Sequence, residues 1–444
     1  MTREELKRQV DRAIEAEAER IVGFGEQIRH RPELGFKEAH TAALVEDVLR
    51  GLGLAPRTQL ALTGVRADVA GGAGPGPTFA LMGELDGLVV SGHPEADART
   101  GAAHACGHNA QVAGLLGAAL GLVKSGALQH LAGRVVFFAV PAEEGGDLEW
   151  RLEQVRAGRL EFLGGKCELL RLGHLDDVDL AMMIHTTPRA EDGRVAIPRS
   201  NNGRFGKTAR FVGRAAHAGG APHAGVNALY AANVALLAIN AVRETFRDED
   251  TVRVHPILTH GGSQVNVIPA EARIETYVRG RTLEAIRDAN VRVDRALRAG
   301  ALALGATVEI ETLPGYLPLR CDPVMAETFR AGADVFFGAG TCRDAEHRAG
   351  STDMGDVSQV MPVLHPYMGG ARGTGHAADY TITDPHLAYV MPARALAGMV
   401  IDLLWDGAAR AREVVARATP PLTRDGYVKF QRDIRRREVF RGDA

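Results

Sequence analysis

Aromatic side chains are scarce in this chain, at 5% of 444 residues with only two tryptophans, so its core has to be built from aliphatic and small residues. Cysteine is scarcer still. The four at positions 106, 167, 321 and 342 are too few for a disulfide framework in a chain of this length, which suits a reducing, cytoplasmic setting. Neither sign of charge dominates: the net charge is −3 and the sequence pI about 6.6, leaving no basic field to hold nucleic acid. No apolar run is long enough to span a bilayer. The N-terminal MTREELKRQVDRAIEAEAER is charged and has no apolar centre, so it does not read as a secretory signal. These shortages turn attention from nucleic acids and membranes to small-molecule chemistry.

What the chain does have is the stretch Gly101 to Gly117, GAAHACGHNAQVAGLLG, which sets His104, Cys106 and His108 two residues apart. In an extended segment alternate side chains share a face, so the three could point to one place. Thiolate and imidazole are ligands that zinc and related divalent ions prefer. After His108 the residues become small and apolar, which predicts a buried helix, and Gly101 and Gly107 let the backbone bend at the junction. Taken alone, one CxH reads better as a free cysteine near two surface histidines.

Three apolar runs elsewhere change that reading. PTFALMGELDG ends in Glu84 and Asp86, GRVVFFAVPAEEGG in Glu143 and Glu144, and DVDLAMMIHTTP in His185. Continuous apolar runs separated by helical segments predict parallel strands buried on both faces, and open α/β sheets bind ligands beyond the carboxyl ends of their strands. Burying an unpaired carboxylate is costly; a bound cation offsets that cost, so the repeated pattern predicts a metal site. Upstream, helices are predicted over residues 3–28 and 41–52, with His30 and His40 structural or exposed.

Around Asn201 the character changes. A strand (KTARFVGRAAHA), a helix (GVNALYAANVALLAINAVRETF), a strand pair (TVRVHPILTHGG and NVIPAEARIETYVRG), a helix (TLEAIRDANVRVDRALRAGALAL) and a strand (TVEIETLPG) follow in turn. This β-α-β-β-α-β order is the ferredoxin-like split unit. It is placed at 202–316, inserted between catalytic parts at 1–201 and 317–444. Its four-stranded sheet would leave two open edges, and an open edge invites a second copy. Beyond it, GSTDMGDVSQVMPVLHPYMGGARGTGHAADY reads as loop around a short strand, VSQVMPVL, and holds His365 and His376. HLAYVMPARALAGMVIDLLW reads as a closing helix, and the tail after Pro420 and Pro421 as a solvated helix or an oligomer contact.

The pieces RHRPELGFKE, GELDGL, HACGHNAQ, PAEEGG, AHAGGAPHAGVNAL, GGSQVNVIP, STDMGDVSQVMP and GTGHAADY span residues 29 to 380. Together they resemble metallopeptidase family twenty, the aminoacylase- and carboxypeptidase-like amidohydrolases, most nearly the aminobenzoyl-glutamate hydrolase-like branch. The resemblance implies an α/β zinc-peptidase catalytic domain with an inserted ferredoxin-like α+β lid that dimerises. It implies Cys106, His108, Glu144, His185 and His376 as ligands of one or two divalent ions, manganese or zinc. Glu143 would be the general base, and Asp86 the acid that orients a ligand. His217 would be the lid histidine that reaches a partner's site, with Asn266 and Arg279 near substrate. Ser351 and Thr352 are candidates for substrate contact, with a loop-shaping role equally open for them and for Asp353. His104 is placed beside the ligands, Glu84 is open to direct metal contact, His223 and His260 fall on the lid surface, and Cys167, Cys321 and Cys342 are small core residues.

Two departures from the family pattern stand out. Asn109 and Gln111 replace the Asp and His that follow CGH in most relatives, which puts a two-metal centre in question, and GELDGL lacks the usual Ala and Pro. The implied reaction is hydrolysis of a C–N bond, the amide of an N-acyl or N-aroyl amino acid. Metal would activate water, Glu143 would move the proton, and metal and His217 would stabilise the developing charge. The alternative on the same scaffold releases ammonia from an aromatic amine such as 5-nitroanthranilate, a step of aromatic compound catabolism. A non-catalytic metal-binding module is a more remote third. The partners implied are a small-molecule substrate and a second copy of the chain.

Overall fold

The apolar run that ends in Glu143 and Glu144 forms the strand Arg134–Val140, and a six-stranded sheet is assembled around it. In the computed structural model, which describes residues 1–443, the order is Arg57–Leu60, Gly64–Ala70, Arg134–Val140, Thr78–Glu84, Leu180–Met182 and Val363–Leu364. The last four are mutually parallel, Gly64–Ala70 runs antiparallel to them, and Arg57–Leu60 runs antiparallel to Gly64–Ala70. Every residue of Thr78–Glu84 is buried, as a strand covered on both faces requires. Glu84 lies in register with Val140. The two strands therefore end at one level, and the loops leaving them carry Asp86 and the Glu143–Glu144 pair.

Helices α1 (Arg3–Glu15), α2 (Ala18–Arg29), α3 (Ala39–Gly51) and α4 (His108–Lys124) belong to the same unit. The single helix expected over 3–28 is broken at Ala16 and Glu17. Neither Pro nor Gly marks the break, so periodicity alone runs the two halves together. Helix α4 is buried on all sides from His108 to Leu122, and close packing explains its small residues. A Cβ at Gly117 would lie 2.6 Å from Ala393 Cβ and 2.9 Å from Ile21 Cδ1. The closing helix, His386–Arg417, is long and apolar enough to cross a membrane by length and composition, yet its apolar stretch is mostly buried, packed on α4 and α1. Backbone angles at Trp405–Ala408 interrupt it. The short strand expected over VSQVMPVL shrinks to Val363–Leu364. Val357 ends a one-turn helix, and the amides of Gln359, Val360 and Met361 bond back to Asp356 and Val357.

The second compact unit comprises Ser200–Leu319, His347–Gly355 and the chain from Gly426 on. Two short segments beyond the expected 202–316 thus belong to it. Its sheet runs Arg253–Val254, Glu271–Gly280, Gly203–Val212, Thr307–Leu313 and Arg436–Arg441, and Ile257–His260 also pairs with Glu271–Gly280. Helices Ala228–Arg243 and Leu283–Leu304 are capped by Asn227 and Thr282 side chains and pack on its apolar face. The β-α-β-β-α-β order is present. The strand Arg436–Arg441 was not expected, because the tail read as a solvated helix or an oligomer contact. It pairs with Thr307–Leu313 and is tied by Arg298 to Glu438 at 2.6 and 2.7 Å. One of the two edges expected to be open is therefore covered by the chain's own tail.

Gly117→Val should test the packing of α4. Overpacking at such a contact costs about 1–3 kcal/mol, read as a lowered urea midpoint; an unchanged midpoint would show that α4 has room there.

Candidate active site

The segment that carries Cys106 is not extended throughout. Ala102–Ala103 pairs with Leu88–Val89, Gly107 then takes a left-handed turn at φ 85°, and α4 starts at His108. A Cβ at Gly107 would sit 1.9 Å from Thr186 Oγ1, so space as well as conformation demands glycine. The shared face predicted for three residues holds for two. His104 is buried, neither of its ring nitrogens is hydrogen-bonded among the described residues, and burial lowers its pKa to about 3.

Cys106, His108 and His185 bring one ligand atom each within 4.8 Å of one another. Cys106, Glu144 and His376 do the same, and Glu84, His108 and Glu143 form a third such group. Cys106 Sγ lies 3.3 Å from His185 Nε2 and 3.3 Å from His376 Nε2, and His376 Nε2 lies 3.3 Å from Glu144 Oε1. The five side chains expected as ligands are thus one cluster, centred on the thiol.

Hydrogen bonds from the surrounding chain aim these groups. His108 Nδ1 donates to the Asp86 carbonyl at 2.8 Å and to its Oδ1 at 3.2 Å, which leaves Nε2 as the lone pair facing the cluster. The other Asp86 oxygen accepts the Glu144 amide at 2.8 Å. His185 Nδ1 donates to the Thr186 carbonyl at 2.6 Å, which frees its Nε2 in the same way. Buried Arg151 donates to the Glu144 carbonyl at 2.6 Å, and buried Glu38 accepts the Ala142 amide at 2.8 Å. Ala142 (φ 51°) and His376 (φ 67°) are left-handed without being glycine. Such a conformation costs about 1–3 kcal/mol and persists where surrounding contacts impose it.

Burial and the Glu144 carboxylate oppose ionisation of Cys106, but His185 and His108 outweigh them and lower its pKa to about 6. Glu144 raises His376 to about 11. Despite burial, His376 holds Glu144 at about 2. His108 is raised well above its ordinary value, against burial, chiefly by Glu84 and Cys106. The cluster therefore gathers ionised sulfur and oxygen donors that call for positive charge. Among the described residues His108 Nε2 makes no hydrogen bond, although Glu84 Oε2 is 3.1 Å away. Sulfur, imidazole and carboxylate donors so arranged fit a divalent transition metal.

The departures have other work. Asn109 donates to the Gly25 carbonyl at 3.2 Å and the Tyr389 hydroxyl at 3.1 Å, inside the helix packing. Gln111 donates to Glu84 Oε2 at 2.7 Å. The residues predicted to lie on the lid or to contact substrate belong to the second unit. His217 is exposed there, and its Nδ1 accepts the Gly219 and Gly220 amides at 3.2 and 3.0 Å, so Nε2 carries the proton. Asn266 is exposed, and its carbonyl accepts the Ala218 amide. Arg279 is half-buried beside Tyr277. Thr352 Oγ1 accepts the Met354 amide at 3.2 Å, a loop-shaping bond, while Ser351 and Asp353 lie beside it. His223 and His260 are exposed, Cys167 and Cys342 buried, and Cys321 only half-buried.

Sequence reasoning missed Lys166, fully buried with Nζ 2.5 Å from Glu84 Oε1, and named His365 in its loop without giving it a role; its ring is fully buried and stacked 5.9 Å from that of His185. A single Lys in GGKCELL carried no pattern to find it by.

Residues 80–395 match the model of peptidase family M20/M25/M40. The chain is 29% identical to the Xaa-Arg dipeptidase of Mus musculus, over 90% of this chain and 89% of that protein. It is 30% identical to a p-aminobenzoyl-glutamate hydrolase polypeptide of Escherichia coli, over 71% of this chain and 63% of that protein. Among solved structures it resembles a dinuclear metal-binding M20 peptidase from Bacillus subtilis, with TM-score 0.65, 21% identity and coverage of 88% and 99%. It also resembles an aminobenzoyl-glutamate utilization protein from Klebsiella pneumoniae, with TM-score 0.66, 21% identity and coverage of 90% and 99%. An α/β sheet ending in metal-ligand chemistry, a separate antiparallel sheet and these matches lead to one conclusion: the chain belongs to peptidase family M20/M25/M40 and has the fold of its metal-dependent hydrolases.

Proposed function

We propose that this hydrolase cleaves the amide bond of an N-acyl or N-aroyl amino acid, and that it stands with the aminobenzoyl-glutamate hydrolase-like branch of its family. The observation that carries the reading is the cluster around Cys106, partly buried and open at His376, with Glu143 beside it. The two relatives named above act, by their names, on a dipeptide and on p-aminobenzoyl-glutamate, both amides of an amino acid.

Two ligand groups share Cys106, which favours two ions, manganese or zinc, over one: Cys106, His108 and His185 would hold the first, and Cys106, Glu144 and His376 the second. Bound there, a divalent ion supplies a water of lowered pKa and polarises the acyl oxygen. Glu143 takes the proton of the attacking water and returns it to the leaving nitrogen. Asp86 keeps the His108 proton on Nδ1 and fixes the Glu144 backbone. His217 is the proposed donor to the negative charge that develops on the acyl oxygen, through its Nε2 proton, with Asn266, Arg279 and Ser351 as substrate contacts. Asn109 and Gln111, which left ring-amine hydrolysis open, are engaged in helix packing and with Glu84. They give no support to an aromatic amine as substrate.

We further propose a homodimer formed at the open edge of the second unit's sheet. The strand Ile257–His260 is exposed along its whole length. Ile257 and Leu258 on it, and Tyr230 and Leu237 on the helix Ala228–Arg243, are exposed apolar side chains. An open edge beside apolar surface is a template for a symmetric partner.

Three outcomes are expected. Chelation should abolish turnover of N-acyl amino acids, with recovery on adding manganese or zinc, and Cys106→Ser should lower the metal content measured by elemental analysis; full activity in a metal-free sample would end the proposal. Glu143→Gln should cut kcat by about 10²–10⁴ while metal content stays near normal, and loss of metal in its place would make Glu143 a ligand. Changing Leu237 and Leu258 together to Asp should leave a monomer by light scattering, whereas a persistent dimer would place the interface elsewhere.

A further inference from the structure

Glu84 is 1% exposed and Lys166 is completely buried, and their ion pair lies beside the proposed metal cluster. The two carboxylate oxygens of Glu84 have different surroundings. Oε1 accepts from Lys166 Nζ at 2.5 Å. Oε2 accepts from Gln111 Nε2 at 2.7 Å and lies 3.1 Å from His108 Nε2. Gln111 also holds the other end of the residue, its Oε1 accepting the Glu84 amide at 3.3 Å. The carboxylate is thus clamped from two sides, with one oxygen presented to His108.

That presentation has no purpose in an ion pair alone. A buried pair of this kind is weak evidence of stability, because desolvation consumes most of the attraction. The His108 proton is on Nδ1, donated to Asp86. Glu84 Oε2 and His108 Nε2 therefore meet as two lone pairs with no hydrogen bond between them. Such a contact repels unless positive charge lies between. A divalent ion between them would supply that charge. Two ligand atoms each about 2.0–2.1 Å from one ion are roughly 2.9–3.4 Å apart in octahedral or tetrahedral arrangements, which is the separation these atoms already have.

We infer that Glu84 is a further ligand, supplying Oε2 to the ion held on His108 Nε2, and that Lys166 and Gln111 are positioning residues that hold its carboxylate in place. The inference rests on the metal-dependent reading of the cluster. It makes the two ions unequal. The ion on His108 has an additional oxygen from a fully buried side chain, whereas the Cys106–Glu144–His376 position has at its edge His376, whose side chain is 52% exposed. The first should bind tightly and the second exchange readily.

The experiment is a metal titration by chelator competition, with zinc, and with cobalt followed by its absorption spectrum. It uses the full-length protein, Glu84→Gln, and the double variant Glu84→Gln with Lys166→Met; circular dichroism and thermal melting report folding. Replacing Glu84 alone removes the carboxylate that faces a buried ammonium, so that variant is expected to lose stability. The double variant removes both charges and is expected to regain it. Both should bind the tighter ion at least about 10- to 100-fold more weakly than the unaltered protein, the range known for even an indirect contact, with an altered cobalt spectrum. If the double variant is folded and titrates like the unaltered protein, Glu84 is only the ion-pair partner of Lys166 and the inference falls. If the unaltered protein itself takes up no metal, the metal-dependent reading fails first, a result distinct from loss confined to the Glu84 variants.

Discussion

The Asp86 carboxylate is the point on which the site depends. One of its oxygens holds the ring of His108 and the other holds the backbone of Glu144, residues that lie 22 and 58 positions away in the chain. A single buried side chain therefore sets the direction of an imidazole at the start of α4 and the position of the acid pair beyond the strand Arg134–Val140. Asp86 can do this because the two central strands end at one level, Glu84 opposite Val140. Parallel pairing puts all such ends on one side of the sheet, where loops rather than side-chain packing decide what is presented.

Around that point the first unit is built to resist movement. Helix α4 is enclosed by other helices and approaches them so closely that glycine is needed at Gly117. The turn at Gly107 fits against Thr186, whose hydroxyl accompanies the Cys106 carbonyl at 3.2 Å and the Tyr380 hydroxyl at 2.7 Å. Glu38 and Arg151 fix the backbone on either side of Glu143 and Glu144. Left-handed backbone at Ala142 and His376 is tolerated within that framework. Ligands held before the ion arrives lose little freedom on binding it, which is how a rigid scaffold raises affinity.

Charge is the other constraint. Thiol, carboxylates and imidazoles share a small, partly buried space, and opposite charges face each other in it: Glu144 with His376, Cys106 with His185 and His108, Glu84 with Lys166. The same electrostatics that hold these donors ionised make the space attractive to a cation. The second unit follows a different rule. Its sheet is extended on one side by the tail strand and ends on the other at the exposed Ile257–His260, so its unfinished chemistry is backbone and apolar surface.

Much of this was legible in the sequence. The apolar runs ending in Glu84, Glu143 and His185 declared parallel strands because burial on both faces leaves no room for alternation, and the β-α-β-β-α-β order declared the second sheet. Cys106 and the four side chains gathered around it were each readable from their place at a strand end or in a recognisable motif. Other features were decided only by the folded chain. The extended strand ends at Ala103 and the chain turns at Gly107, and no spacing rule reveals where an extended segment stops. Lys166 finds Glu84 across 82 residues. The charged tail RREVFR pairs with Thr307–Leu313 through backbone and ion pairs, with no apolar rhythm to announce it. Local burial leaves a periodic trace in a sequence, whereas a contact between two isolated polar residues far apart in the chain leaves none, and the site's electrostatics consist of such contacts.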